Sequence, residues 1–183
     1  MKRLMPFYGL IIIFCFTCFV HTGCKNGSDL NIAFDNQLDS VHMGVRLGME
    51  RQAFYDHCWD LNKQGKNITQ GHNNTSVMHS DTINFAYPVE INFYPEFNEE
   101  NKAYILPVRY EYRSWAPWNK EVYADKLLPE VISLMKKSYG EPFLQKIIDG
   151  KLFWYKYDSP RLITIYADDD HYVFVKFKNE RYK

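Results

Sequence analysis

The side chains whose chemistry could matter fall into a few short stretches. Cys24 closes the run Val20-His21-Thr22-Gly23-Cys24. Small residues before the thiol let a peptidase approach the backbone. Trp115 and Trp118 lie in Ser114-Trp115-Ala116-Pro117-Trp118-Asn119, flanked by Arg113 and Lys120. Aromatic rings beside a guanidinium serve as hot spots for protein partners and as stacking platforms for sugars. The same rings can instead plug a joint between packed units, and that is the role the stretch favours by itself. His57-Cys58 sets a base beside a thiol, but adjacent helical residues point about 100° apart. Cys58 shares an apolar face with Phe54 and Leu61, so it reads as a buried, inert thiol. Asp168-Asp169-Asp170-His171 could offer ligands to a cation, yet the glycine and distal glutamate of a calcium loop are missing, so a solvated hairpin turn is expected. Glu90, Glu96, Glu99 and Glu100 could supply an acid and a base, with no spacing that selects two of them. There is no glycine-rich phosphate loop, His-x-x-x-His pair or Gly-x-Ser-x-Gly, and no Cys-x-x-Cys after Cys18. No catalytic residue, metal or cofactor is assigned.

The N-terminus supplies an address. Lys2 and Arg3 precede a nearly unbroken apolar run from Gly9 to Val20, shorter than the ~20 residues a spanning helix needs. Residues 1–23 therefore read as a secretory signal. The stretch before Cys24 resembles the lipobox of bacterial lipoproteins, with His21 where that group usually has leucine or another aliphatic residue. The resemblance implies a diacylglyceryl group on Cys24, which becomes the new N-terminus, and further acylation of the palmitate type. Lys25 follows in place of the aspartate that marks inner-membrane retention in enteric bacteria, so the outer membrane is implied. Ordinary signal cleavage, releasing the chain, is the alternative. Several acyl chains on one cysteine suffice for stable anchoring. Of the 4 cysteines, Cys15 and Cys18 leave with the signal, and Cys24 carries lipid. Cys58 is then alone, and the fold must rest on burial rather than on a disulfide.

Lysine and arginine total 22, as do aspartate and glutamate, and loss of Lys2 and Arg3 with the signal leaves a small acidic excess. Nothing in this balance points to nucleic acid. Aromatic residues make up 17% of the chain and recur in each strand-like segment, the composition of a β-rich core.

The elements follow from periodicity. Residues 24–39 are polar and aperiodic, and read as a flexible tether. Val41, Met43, Val45 and Leu47 alternate and suggest a strand. A helix is expected over 50–63, ended by Gly65. A long polar loop with a strand near Val77 comes next. Two alternating runs follow, Ile83-Phe85-Tyr87 and Val89-Ile91-Phe93, and then a charged turn over 96–102. Tyr104 to Tyr112 is the clearest strand, with Pro107 predicting an edge position or a bulge. Residues 114–123 read as a connector. Beyond it Leu127, Leu128, Val131, Ile132, Met135 and Tyr139 form a helical face, with Pro129 in the first turn and Gly140 and Pro142 as the stop. A helical turn is expected over 143–148, and then three strands (152–157, 162–166, 172–177) joined by short turns, which forces an antiparallel meander.

The order of helix and then antiparallel strands thus occurs twice, over 40–113 and 124–183. Gly48-Met49 before a helix resembles the Gly-Met-Thr start of the SmpA/OmlA-like lipoproteins of the outer-membrane β-barrel assembly machinery. Tyr139-Gly140-Glu141-Pro142 before a Trp-containing meander resembles a pattern of many Bacteroidetes lipoproteins, and the doubling is similar to the tandem fold of β-lactamase-inhibitory proteins. What these resemblances imply is an α+β fold of two helix-plus-sheet units, with or without a shared sheet, used as a protein-binding scaffold. The expectation is a lipid-anchored protein of the cell envelope that binds another envelope protein without catalysis, with Trp115, Trp118 and Arg113 as candidate contacts. The alternative is a surface protein acting on glycan or peptidoglycan. Facing carboxylates in a cleft would favour the alternative; a continuous exposed apolar sheet face would favour protein binding.

Overall fold

The structure, a computed structural model, describes residues 38–71 and 76–183. Cys24, the signal segment and most of the proposed tether lie outside the described residues. The fold is α+β. Two helices, α1 (Arg51–Lys63) and α2 (Ala124–Tyr139), accompany nine strands: β1 (Thr69–Gln70), β2 (Val77–Asp81), β3 (Val89–Phe93), β4 (Glu96–Phe97), β5 (Ala103–Tyr112), β6 (Leu144–Ile148), β7 (Lys151–Asp158), β8 (Arg161–Ala167) and β9 (Val173–Asn179). All belong to one antiparallel sheet, ordered β1-β2-β3-β5-β9-β8-β7-β6, with β4 also against β5. The seam between the halves is β5–β9, where Leu106 faces Phe177 and Val108 faces Val175.

Side chains in register share a face, so burial on one strand fixes its neighbours. Ile91, Tyr110, Val108, Val175, Ile165, Phe177 and Ile163 are buried along one face. Over that face α2 lays Leu127, Val131 and Met135, spaced four apart on one stripe. Gly140 (φ 75°) follows the last helical residue and donates its N–H to Lys136. Pro129 lies in the helix rather than in its first turn, because the helix starts at Ala124. The cost is one helical hydrogen bond. Helix α1 is peripheral, burying Phe54 and Leu61. The halves are thus unequal in how their helices meet the sheet, and a repeated unit is not established.

Four segments depart from the periodicity. Val41, Val45 and Leu47 are buried as their alternation implies, yet 42–44 form a 3-10 turn with Met43 at φ 53°, not a strand. Ile83-Phe85-Tyr87 is also not a strand: Asp81 accepts the backbone N–H of Ile83 and Asn84 and curls the chain into a loop. Residues 144–148 form strand β6, not a helical turn. Pro107 stands in a central strand, opposite the gap between β3, whose pairing ends at Phe93–Val108, and β4, which begins at Glu96–Ile105. Leu38 and Asp39, the end of the stretch read as tether, belong to the fold. Asp39 is 4% exposed and accepts from Asn179 and Tyr182, and Leu38 accepts from Arg161. Gly48 (φ 85°) is required on two counts, since a Cβ there would lie 2.4 Å from the Tyr182 ring. Among the described residues no helix is long and apolar enough to cross a membrane.

Candidate functional site

The second face of the sheet is covered by neither helix. Registers divide it by chemistry at the β5–β9 seam. On β6 to β9 it presents Leu144 and Ile148; Phe153, Tyr155 and Tyr157; Leu162, Thr164 and Tyr166; and Phe174. Between them stand Lys146, Lys151, Lys176 and Lys178, and no aspartate or glutamate occurs in these positions. On β3 and β5 the same face presents Glu90, Asn92, Arg109 and Glu111.

A row of rings crosses the face. Phe153 lies 5.0 Å from Tyr166, and Tyr166 stacks on Phe174 at 5.5 Å with 18° between planes. Phe174 meets Tyr172 at 6.4 Å, Tyr172 stacks on His171 at 3.7 Å, and His171 stacks on Trp115 at 3.9 Å. Cations lie over the rings: Arg109 over Tyr172 at 4.6 Å, and Lys151 and Lys176 each 5.6 Å from Tyr166. Ring faces are therefore turned to each other and to cations, while edges and hydroxyls are left for a partner. Sugar recognition needs an open ring face, and this row offers few.

The polar half brings together residues far apart in sequence. Glu90 and Glu111 stand directly opposite each other. Each is engaged by an arginine: Arg113 Nε lies 3.4 Å from Glu90 and Arg109 is 3.1 Å from Glu111, whose other oxygen lies 3.0 Å from His171 Nε2. Asn92 donates to Glu111 at 3.4 Å. Of the acidic set in the sequence, Glu90 thus pairs with Glu111, and Glu96, Glu99 and Glu100 stand apart in β4 and the turn after it. No local motif in the sequence marks Glu111, Arg109 and Tyr172 as a group. Their meeting depends on register, and alternation along β5 was the available sign that Arg109 and Glu111 share a face.

The connector splits its two tryptophans. Trp115 is pinned to the β8–β9 turn by the His171 stack and by donating Nε1–H to the Asp170 carbonyl at 3.2 Å. It performs the packing role and also ends the aromatic row. Trp118 is 86% exposed, and Arg113 extends from the end of β5.

The remaining candidates resolve locally. Cys58 is half-buried, which pushes its thiol up to about 11, and His57 turns away to the Met43 carbonyl at 2.9 Å. A groove of about 600 Å³ between α1 and β1–β2 is lined by Cys58, Tyr55, Tyr94, Ile68 and Val77. Its Tyr55 and Tyr94 hydroxyls are hydrogen-bonded to each other at 2.7 Å. In the aspartate turn, Asp169 accepts the N–H of His171 and Tyr172, and Asp168 pairs with Lys151. Burial works to raise the Asp169 pKa, but the two N–H bonds and the nearby His171 hold it below the usual carboxylate range. Among the described residues no three His, Cys, Asp or Glu side chains form a group that could hold a metal ion. Outside the open face, His42 and His79 meet Nε2 to Nε2 at 3.1 Å, boxed by Phe93 and Tyr110.

Comparison with protein-family models, with curated proteins and with solved structures found no match to this chain.

Proposed function

We propose that this chain is a lipid-anchored protein of the bacterial cell envelope, tethered through Cys24 to the outer membrane, and that it binds another envelope protein without catalysis. The observation that carries the binding reading is the uncovered face of β6 to β9. It is a continuous field of aromatic and aliphatic side chains with interspersed lysines, larger in chemical scope than the scattered apolar residues of an ordinary surface. Rings that are fixed by stacking lose little freedom on binding, and Tyr, Trp and Arg are the anchors of protein interfaces. The exposed Trp118 and Arg113 add a second contact at the connector. The glycan reading draws less support: the opposed carboxylates Glu90 and Glu111 are both held by cations, and the aromatic row turns its ring faces inward.

The test is cross-linking in membranes followed by affinity capture of the intact chain, of Cys24→Ala, and of the double variant Tyr157→Ser/Lys176→Glu. The expected result is one defined protein recovered with the intact chain, reduced more than about tenfold (~1.4 kcal/mol) in the double variant. Cys24→Ala is expected to leave the membrane fraction and lose the partner. Retention on cell-wall or glycan material, with no protein recovered, would overturn the reading.

A further inference from the structure

Strand β6 closes the aromatic side of the sheet, and among the described residues it pairs with β7 alone. Its outward N–H and C=O groups face no strand there. Sheet edges are usually blunted by proline, by a bulge, by several charges or by a covering loop. Among the described residues none of these protects β6. Its register with β7 runs without a shift from Leu144–Tyr155 to Ile148–Lys151, and Lys146 is its one charge. The Asp149-Gly150 turn, with φ of 50° and 77°, is of the kind that holds a tight two-residue hairpin, so the edge is a rigid template. All five side chains of β6 are exposed, Ile147 at 71%. Apolar residues stand on both faces: Leu144 and Ile148 continue the open face, and Ile147 lies opposite Leu152 on the other.

We propose that β6 accepts an extended segment of a partner protein as an added antiparallel strand, and that this segment is acidic at its centre. The proposal rests on the protein-binding reading above and names how the partner docks. Charge fixes the chemistry of the guest. On the open face β6 carries Lys146 and the adjoining β7 carries Lys151, which pairs with Asp168, so Lys146 sets the charge along the edge and the guest residue opposite it is Asp or Glu. Register fixes the rest. Read from its N-terminus, the guest places apolar residues opposite Ile148 and Ile147, the acid opposite Lys146, any residue opposite Gln145, and an apolar residue opposite Leu144. Backbone pairing of this kind supplies affinity, and alternate side chains supply selection. A second copy of β6 fits worse, because two-fold pairing centred on Lys146 sets one lysine against the other.

The test selects a phage-displayed library of random dodecapeptides on the full chain carrying Cys24→Ala. Amide hydrogen exchange of the chain is then measured with and without an enriched peptide. Enrichment of the pattern apolar-apolar-acidic-any-apolar is expected, with at least about tenfold slower exchange at residues 144–148. Ile147→Pro is expected to abolish binding, and Lys146→Glu, which leaves the fold intact, to shift selection from acidic to basic peptides. Peptides that bind equally well to Lys146→Glu and protect only the β7–β9 face would overturn edge pairing and leave the protein-binding reading standing. Concentration-dependent protection of 144–148 without peptide would put a second copy there and overturn the proposal. No enriched peptide, together with no protein captured from membranes, would count against both.

Discussion

At the scale of single residues, the two connector tryptophans separate packing from recognition. Trp115 is held by a stacked ring and a hydrogen bond, while Trp118 is largely in solvent. Removing the first should cost stability and removing the second should not. For Trp115→Ala the expected loss is about 1–2 kcal/mol, seen as a lower urea midpoint with unchanged slope. For Trp118→Ala the midpoint should move by less than about 0.5 kcal/mol, while partner capture falls. A Trp118→Ala protein that unfolds early would mean that this ring also packs. The sequence could name both tryptophans but not assign them, because one local composition suits either role. Assignment needed His171, brought from 56 positions away in the chain by the β8–β9 turn.

At the scale of elements, the segment 38–49 is clasped onto the sheet, and one clasp is titratable. His42 lies on that segment and His79 on β2, and two facing ring nitrogens 3.1 Å apart share one proton. Burial, reinforced by the neighbouring His79, lowers the pKa of His42 from 6.5 to about 3. Burial also lowers that of His79, opposed by Asp81 and by a hydrogen bond to the Ser80 backbone. The unfolded chain then binds more protons than the folded one below pH 6.5. The neutral pair's stability is complete above that value and is lost as pH falls toward the folded values. Each histidine contributes a slope of up to about 1.4 kcal/mol per pH unit. Asp81, Asp158 and Asp169 are held below their usual 3.8, so their own losses begin in more acid solution. Urea midpoints should therefore fall between pH 6.5 and about 4.5 in the native chain and stay flat in His42→Phe/His79→Phe. Equal slopes in the two proteins would remove the histidine pair from the account.

Elements were legible where period and punctuation agreed. Helix α1 ends near Gly65, α2 at Gly140, and β7 to β9 fall between short polar turns, as their sequences suggest. Leu144, Ile147 and Ile148 fit a helical spacing, yet the segment forms strand β6. The signal against a helix was Asp149-Gly150, a hairpin dipeptide directly before β7. Pro107 misled in the opposite sense. Its missing N–H implied an edge, but a break in the neighbouring strand provides the same relief inside the sheet.

At the scale of the molecule, one sheet joins both halves, and its order decides what is exposed. The last strand of each half meets at β5–β9, which puts the polar strands β3 and β5 on one side and the aromatic strands β9 to β6 on the other. With α2 on one face, the other is covered by neither helix among the described residues. We propose this open face as the recognition surface. It is tested most directly by site-specific photo-cross-linking in membranes. A photoreactive residue replaces Tyr157 on the open face or, as comparison, the somewhat more exposed Trp59 on α1. A discrete protein adduct is expected from position 157 and none from position 59. Adducts from position 59 with none from position 157 would contradict it.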